Sequence, residues 1–187
     1  MAAVYCALVH YPIRQRDGSV GTTAVTTLDV HDIARSARTF GLSGYFIVTP
    51  IAAQQVLLSR ILGHWSAGAG RKRMPERSDA LHLCRAAQTI EEVSTAITEQ
   101  EGLAPSWVAT AARPAERPTV SFCELREQLH HSAAPHLLLL GTGHGLSDDL
   151  VARATVLLEP IHGPSDYNHL SVRSAAAIIF DRLFAPR

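Results

Sequence analysis

The chain predicts an α/β fold, a mainly parallel sheet with helices on both faces, and three observations predict it. Four consecutive leucines, Leu137 to Leu140, end in Gly-Thr-Gly, and a short run that is apolar on both sides and closed by glycine suits a strand buried on both faces. Strand-like runs alternate along the chain with stretches of helical period, the pattern of βαβ units. Hydrophobic residues make up 47% of 187, enough for one core that buries about 70% of the unfolded surface. No repeat or composition shift divides the chain, so residues 1–187 read as a single domain.

The elements follow in order. Val4 to His10 is a first strand, and Tyr11 to Thr27 a loop with Pro12 and Asp17-Gly18 as turn signals. Asp29 is placed to cap a helix from Val30 to Phe40, ended by Gly41 and Gly44. Tyr45 to Thr49 is a second strand. Ala52 to Trp65 is a helix expected to turn Val56, Leu57, Ile61 and Leu62 to one face. Ser66 to Pro75, glycine-rich and basic, reads as a mobile loop. Asp79 to Ala87 and Glu91 to Gln100 read as helices, with a short strand over Ala87 to Thr89 between them. Ser106 to Ala111 is a strand, Arg113 to Pro118 a proline-flanked connection, and Cys123 to His130 a helix.

The most informative stretch is His136 to Asp181. After the leucine strand, Gly141, Thr142, Gly143 and Gly145 allow positive φ and close approach of backbone to a ligand. Ser147 is a cap for the next helix, with Asp148 and Asp149 in its first turn, where carboxylates meet the favourable end of the dipole. That acidic turn argues against a phosphate there. A second strand, Thr155 to Leu158, stops at Glu159-Pro160, and a loop through Gly163-Pro164 leads into a helix from Leu170 to Phe184. The space between two strand ends of this kind is where open α/β sheets bind ligands. A glycine pair after a strand is by itself only a tight turn; the order of the three segments makes the reading specific.

That order, GTGHGL then LEPIHG then HLSVRSAAAI, is similar to the second and third motifs of the SPOUT superfamily of RNA methyltransferases. DVHDIARSARTFG, from Asp29 to Gly41, resembles the first motif of its ribose-methylating branch, an Asn, an Arg six places on, then Phe-Gly. Closer still is a bacterial group of SPOUT-type enzymes found alone or fused to tRNA guanine-N1 methyltransferase. That match runs nearly end to end, through ALVHYP, TTLDVHDIARSARTFG, YFIVTP, HW, GTGHGL, LEPI and SDYNHLSVRSA. The resemblance implies a C-terminal deep trefoil knot, S-adenosylmethionine as cofactor with S-adenosylhomocysteine as product, a homodimer, and tRNA or rRNA as substrate. This chain departs from the wider pattern at three places. Asp29 stands for the first Asn, GTGHGL lacks the motif-two Glu, and the motif-three Asn falls on Ser171. Fold and cofactor therefore carry over more directly than the atom methylated.

In that frame the cofactor lies between two strand ends. Backbone at Leu140, Gly141, Thr142 and Gly143, at Leu158, Glu159 and on to Gly163, and at His169 to Val172 would meet the adenine edge. Leu158, Ile161 and Leu170 would clamp its faces, and Thr110 would face the same pocket. Asn168 and Ser171 are placed either to touch ribose or methionine or to cap the last helix.

Methyl transfer needs an aligned acceptor and a group that takes or weakens its proton. In the ribose-methylating branch an arginine has that role, and its position here is Arg35. Sequence does not separate a catalytic guanidinium from one that anchors phosphate. Asp29, His31 and Asp32 are alternatives as base, with capping the competing role for Asp29. Arg35, Asp29 and Ser171 are carried forward as catalytic candidates.

Seventeen basic and seventeen acidic residues leave no net field to draw in RNA. Arg71, Lys72 and Arg73 with Arg77, and Arg14 with Arg16, are the local candidates, against the alternative of a solvated loop. Neutrality also keeps open a non-RNA substrate, or a noncatalytic accessory that binds cofactor or RNA. Cys6, Cys84 and Cys123 lack CxxC spacing and read as buried free thiols, and ten histidines form no HExxH, so no metal is expected. No apolar run approaches the ~20 residues of a membrane span, and the N-terminus lacks a signal peptide's basic start, so a cytoplasmic protein without a membrane partner is expected.

Overall fold

A computed structural model describes residues 1–112, 117–165 and 167–186. Six strands form one parallel sheet: β1 (Val4–Val9), β4 (Gly44–Val48), β5 (Cys84–Ala87), β6 (Ser106–Thr110), β7 (His136–Gly141) and β8 (Val156–Leu158). Their order across the sheet is β5-β4-β1-β7-β6-β8, and every neighbouring pair is parallel. The helices are α1 (Thr27–Thr39), α2 (Ala52–Ser66), α3 (Ala69–Arg73), α4 (Pro75–Leu81), α5 (Ile90–Glu101), α6 (Phe122–His131), α7 (Asp148–Arg153) and α8 (Val172–Phe184). A short antiparallel ribbon, β2 (Ile13–Arg14) with β3 (Val20–Gly21), fills part of the span expected to be loop.

Helices cover both faces. On one, α1, α2, α4, α6 and α8 pack on Cys6, Leu8, Ile47, Val108, Leu138 and Leu140. On the other, α5 and α7 pack on Tyr5, Ala7, Val9, Val48, Leu137 and Leu139. This explains the leucine run: successive side chains alternate faces, and both faces of β7 are interior.

Several local expectations change. Thr26, not Asp29, caps α1, its hydroxyl oxygen accepting from Asp29 N at 3.2 Å. Asp29 sits in the first turn, where a carboxylate is stabilised by the same free N–H groups. Gly41 does end the helix with φ +73°, but Gly44 lies inside β4, where a Cβ would stand 2.8 Å from the Tyr5 ring. In α2, Val56 and Leu57 are exposed and Leu58 is buried. The segment read as a mobile loop folds into α3, and the strand placed at Ala87 to Thr89 is β5, three residues earlier. The Asp79 to Ala87 helix is instead the end of α4 followed by that strand, because Cys84 and Ala87 are drawn into the sheet beside Tyr45 and Val48. Cys6 and Cys84 are buried, their thiol pKa values pushed up by burial, whereas Cys123 is exposed on α6. Of the Arg113 to Pro118 connection, residues 113–116 lie outside the described residues.

The segment after β8 pairs with the chain between β6 and α6. Val120 pairs in parallel with Leu158, Glu159 N donates to Val120 O at 2.9 Å, and the Glu159 carboxylate accepts from Phe122 N at 2.8 Å. Farther on, Asn168 Nδ2 donates to Ala112 O. No helix among the described residues is long and apolar enough to cross a membrane.

Candidate active site

The strand-end members of the expected cofactor set lie side by side in the sheet. Registers Ala109 with Leu139 and Leu157, and Thr110 with Leu158, bring the C-terminal ends of β7, β6 and β8 side by side. Thr110 Oγ1 donates to Leu139 O at 2.8 Å, so its hydroxyl ties two of these ends together. The turn after β7 has φ +57° at Gly143 and +103° at Gly145, closed by Gly145 N donating to Thr142 O at 2.9 Å. A Cβ on Gly141 would stand 2.7 Å from Leu146 N, so this turn folds back without room for a side chain. It is anchored outward by Arg14 N to Gly145 O, 3.0 Å, and Ser147 N to Pro12 O, 3.2 Å.

After β8, residues 159–165 and 167–171 lead to α8 without helix or strand. Gly163 has open space around it, Ile161 is half-buried, and Tyr167 and Leu170 are exposed although apolar in bulk. Ser171 caps α8, accepting from Ser174 N at 3.2 Å. Val172 opens that helix, and the His169 ring stands edge-on to Tyr167. Leu140 and Leu158 are buried beneath these loops.

A second group lies where α1 meets α8. The Asp29 carboxylate, 7% exposed, accepts from Arg173 NH1 at 2.8 Å and from Thr26 Oγ1 at 2.7 Å. Arg173 Nε lies 3.5 Å from Asp32 Oδ2. Arg173 therefore joins two carboxylates of α1 to the start of α8, and the sequence reading had not singled it out, although it stands within HLSVRSA. Arg35 lies one turn along α1 from Asp32, exposed and without an ion pair or hydrogen bond among the described residues.

At the glycine turn lies a partly buried polar chain that ends on the buried His10. Thr142 Oγ1 donates to Val9 O at 3.0 Å, so its lone pair receives the Thr23 hydroxyl, which in turn accepts from His10 Nδ1 at 3.0 Å. This chain assigns the proton to Nδ1, leaving Nε2 a buried acceptor without a partner. Burial pulls the His10 pKa down to about 4, with Asp29 opposing. Because the folded pKa lies below the unfolded value, the unfolded chain takes the proton first. The neutral ring's contribution is therefore whole above about pH 6.5 and lost as pH falls to about 4, a loss of about 3 kcal/mol. Urea unfolding of wild type and His10→Gln between these pH values should diverge by that amount; parallel curves would refute the assignment.

The basic candidates separate. Arg14 pairs with Asp148 at 3.3 Å, both exposed, while Arg71, Lys72 and Arg73 are exposed on α3. Among the described residues no three His, Cys, Asp or Glu side chains gather as a metal site.

A family described as SAM-dependent RNA methyltransferase matches residues 3–185. The chain belongs to this family. It is 43% identical to an uncharacterized protein of Aquifex aeolicus over 97% of this chain and 88% of that one. It is 45% identical to a tRNA (guanine-N(1)-)-methyltransferase of Oleidesulfovibrio alaskensis over 96% of this chain, and spans only 41% of that relative's length. Its fold is shared with a putative methylase family protein of Neisseria gonorrhoeae, TM-score 0.66, 18% identity, covering 98% of this chain and 82% of that one. It is also shared with the SpoU methyltransferase AviRb of Streptomyces viridochromogenes, TM-score 0.60, 16% identity, covering 97% and 58%.

The residues present fit the cofactor of an S-adenosylmethionine-dependent RNA methyltransferase. Three strand ends in register, a glycine turn with two positive-φ residues and no room for a Cβ at Gly141, and exposed side chains at Tyr167 and Leu170 offer backbone polar groups and apolar surface, the two kinds of contact an adenosyl group takes. The cofactor brings a methyl group on a cationic sulfur; binding it, excluding water and presenting the acceptor fall to the chain.

Proposed function

We propose that this protein methylates tRNA or rRNA, with the glycine turn and residues 158–163 and 168–172 holding the cofactor and Arg35 facing the acceptor. The observation that carries this reading is the Arg173 to Asp29 pair, 2.8 Å. It fastens the helix that bears Arg35 to the segment assigned to the cofactor, so donor and acceptor sides form one assembly. Thr110, Leu140, Gly141, Thr142 and Gly143 contribute one wall of the cofactor site, and Leu158, Glu159, Ile161, Gly163, Asn168, His169, Leu170 and Val172 the other. Glu159 contributes backbone, its carboxylate being engaged by Phe122 N. Ser171 shapes the site by capping α8.

Arg35, unpaired and exposed, orients the acceptor oxygen or nitrogen and stabilises the charge that develops as its proton leaves. Asp29 is a positioning residue, since both of its oxygens already accept hydrogen bonds. Arg71, Lys72, Arg73 and Arg14 supply contacts to the RNA backbone. The pairing of Val120 with Leu158 and Glu159, together with the bond from Asn168 to Ala112, supports the deep trefoil knot, and the assembly is a homodimer, measurable by sedimentation. The relative from Oleidesulfovibrio favours tRNA over rRNA, and the setting is the cytoplasm. Transfer of labelled methyl from S-adenosylmethionine to unmodified tRNA or rRNA transcripts tests the reading. Label on RNA supports it; a protein that binds cofactor and labels no RNA of either class overturns it.

A further inference from the structure

One cluster on the α1 to α4 face has no part in the cofactor site. The Trp65 ring, near the end of α2, meets His31 at 5.3 Å and His64 at 5.4 Å, both edge-on, and Arg77 Cζ stands 5.4 Å from its centroid. The seat is fixed from two sides. Ser78 Oγ donates to Trp65 O at 2.7 Å, and a Cβ on Gly70 would stand 2.8 Å from Trp65 Cε3, so α3 is pressed onto the ring. Arg71, Lys72 and Arg73 follow at once, exposed.

What this cluster lacks is an anion. Arg77 makes no ion pair or hydrogen bond among the described residues, and its Nε is buried without a partner, as is His31 Nδ1. The neighbouring carboxylates are committed elsewhere, Asp79 to Arg38 at 2.8 Å and Asp32 to Arg173. Glu76, exposed on α4, does not pair with Arg77. Burial, then Arg77 and Arg35, hold the His31 pKa below its ordinary value against the pull of Asp32. His31 and Arg35 share one face of α1, four residues apart.

We propose that Arg77, seated on Trp65 and flanked by His31, grips a phosphodiester of the RNA substrate beside Arg35, with the strand continuing over Arg71 to Arg73. The proposal rests on the RNA methyltransferase reading and adds the place where the RNA backbone is held. A guanidinium stacked on an indole keeps its charge and its planar fork of donors while losing little freedom on binding, and bidentate pairing with phosphate is what that fork fits. In a chain of no net charge, such a local device must supply the attraction that the whole surface does not.

The test is fluorescence anisotropy with a labelled oligouridylate, across a salt series, for wild type, Arg77→Ala, Arg77→Lys and Trp65→Phe. Calorimetric titration with S-adenosylmethionine is run on the same proteins. Arg77→Ala should weaken RNA binding about tenfold and lower the slope of log affinity against log salt by about 0.7, one phosphate's worth on a single strand. Arg77→Lys and Trp65→Phe should lose severalfold, and cofactor affinity should not change. Oligouridylate should raise the pH at which the His31 imidazole titrates by NMR. Should Arg77→Ala fail to fold, the lysine and phenylalanine variants decide. Unchanged RNA affinity and salt slope in folded variants would overturn the proposal. So would a His31 shift produced by inorganic phosphate alone, with RNA binding untouched. Failure of wild type to bind S-adenosylmethionine would instead count against the enzymatic reading, leaving the RNA arm to be judged on its own.

Discussion

Arg35→Ala is expected to lower the methyl-transfer rate by about 10²- to 10⁴-fold while leaving affinity for S-adenosylmethionine unchanged. The side chain is exposed and makes no hydrogen bond or ion pair among the described residues, its nearby charged-group influence being on the His31 ring, so its removal takes little from the fold. Its single structural consequence is the loss of a permanent positive charge one turn from Asp32. Arg35→Lys should not restore the rate, because an ammonium lacks the planar pair of donors that fixes an acceptor in direction as well as distance. Single-turnover rates with saturating cofactor and RNA check this directly. A full rate in Arg35→Ala would move the acceptor site away from α1.

Arg173→Leu should cost about 3 kcal/mol of stability, the scale for leaving a buried carboxylate without its cation. Asp29 is nearly inaccessible, and Arg173 is its one cationic partner among the described residues; Thr26 alone would then remain to satisfy it. The double variant Asp29→Asn, Arg173→Leu should recover most of the loss, since the unpaired charge is gone. Urea unfolding of the two single variants and the double measures the coupling. Additive losses would mean that the pair is not coupled in solution. Arg173→Leu should also weaken methyl transfer at temperatures where it stays folded, because α8 then no longer fixes the donor segment against α1.

Much of this was legible in the chain because the signals were local. The leucine run of β7 needs both faces buried, and Ser147 precedes a helix whose third residue's N–H it accepts. Gly143 and Gly145 sit at positive φ where the turn after β7 requires it. What escaped was decided by tertiary contact. Gly44 resembles a helix stop, yet it is glycine because Tyr5 lies against it. The stretch from Ser66 to Pro75 has the composition of a loop but is folded by Trp65 and His64 packing on Gly70. Val56 and Leu57 follow helical spacing yet face outward, since only Leu58 of that stretch reaches the sheet. In the site, backbone positions could be placed from strand ends and glycines. The Arg173 to Asp29 pair and the His10, Thr23, Thr142 chain could not, because they join residues 144 and up to 119 positions apart.

The central claim, that the edge formed by β7, β6 and β8 binds the methyl donor, is tested most directly by calorimetric titration of S-adenosylmethionine into wild type and Gly143→Val. Gly143 has φ +57°, and a Cβ there would stand 3.1 Å from Thr23 Cγ2, so a branched side chain meets both backbone strain and a neighbour. The account predicts saturable binding of about −8 kcal/mol for wild type, a micromolar affinity, and no measurable heat for a folded Gly143→Val. Equal binding by both proteins, or none by a folded wild type, would contradict it.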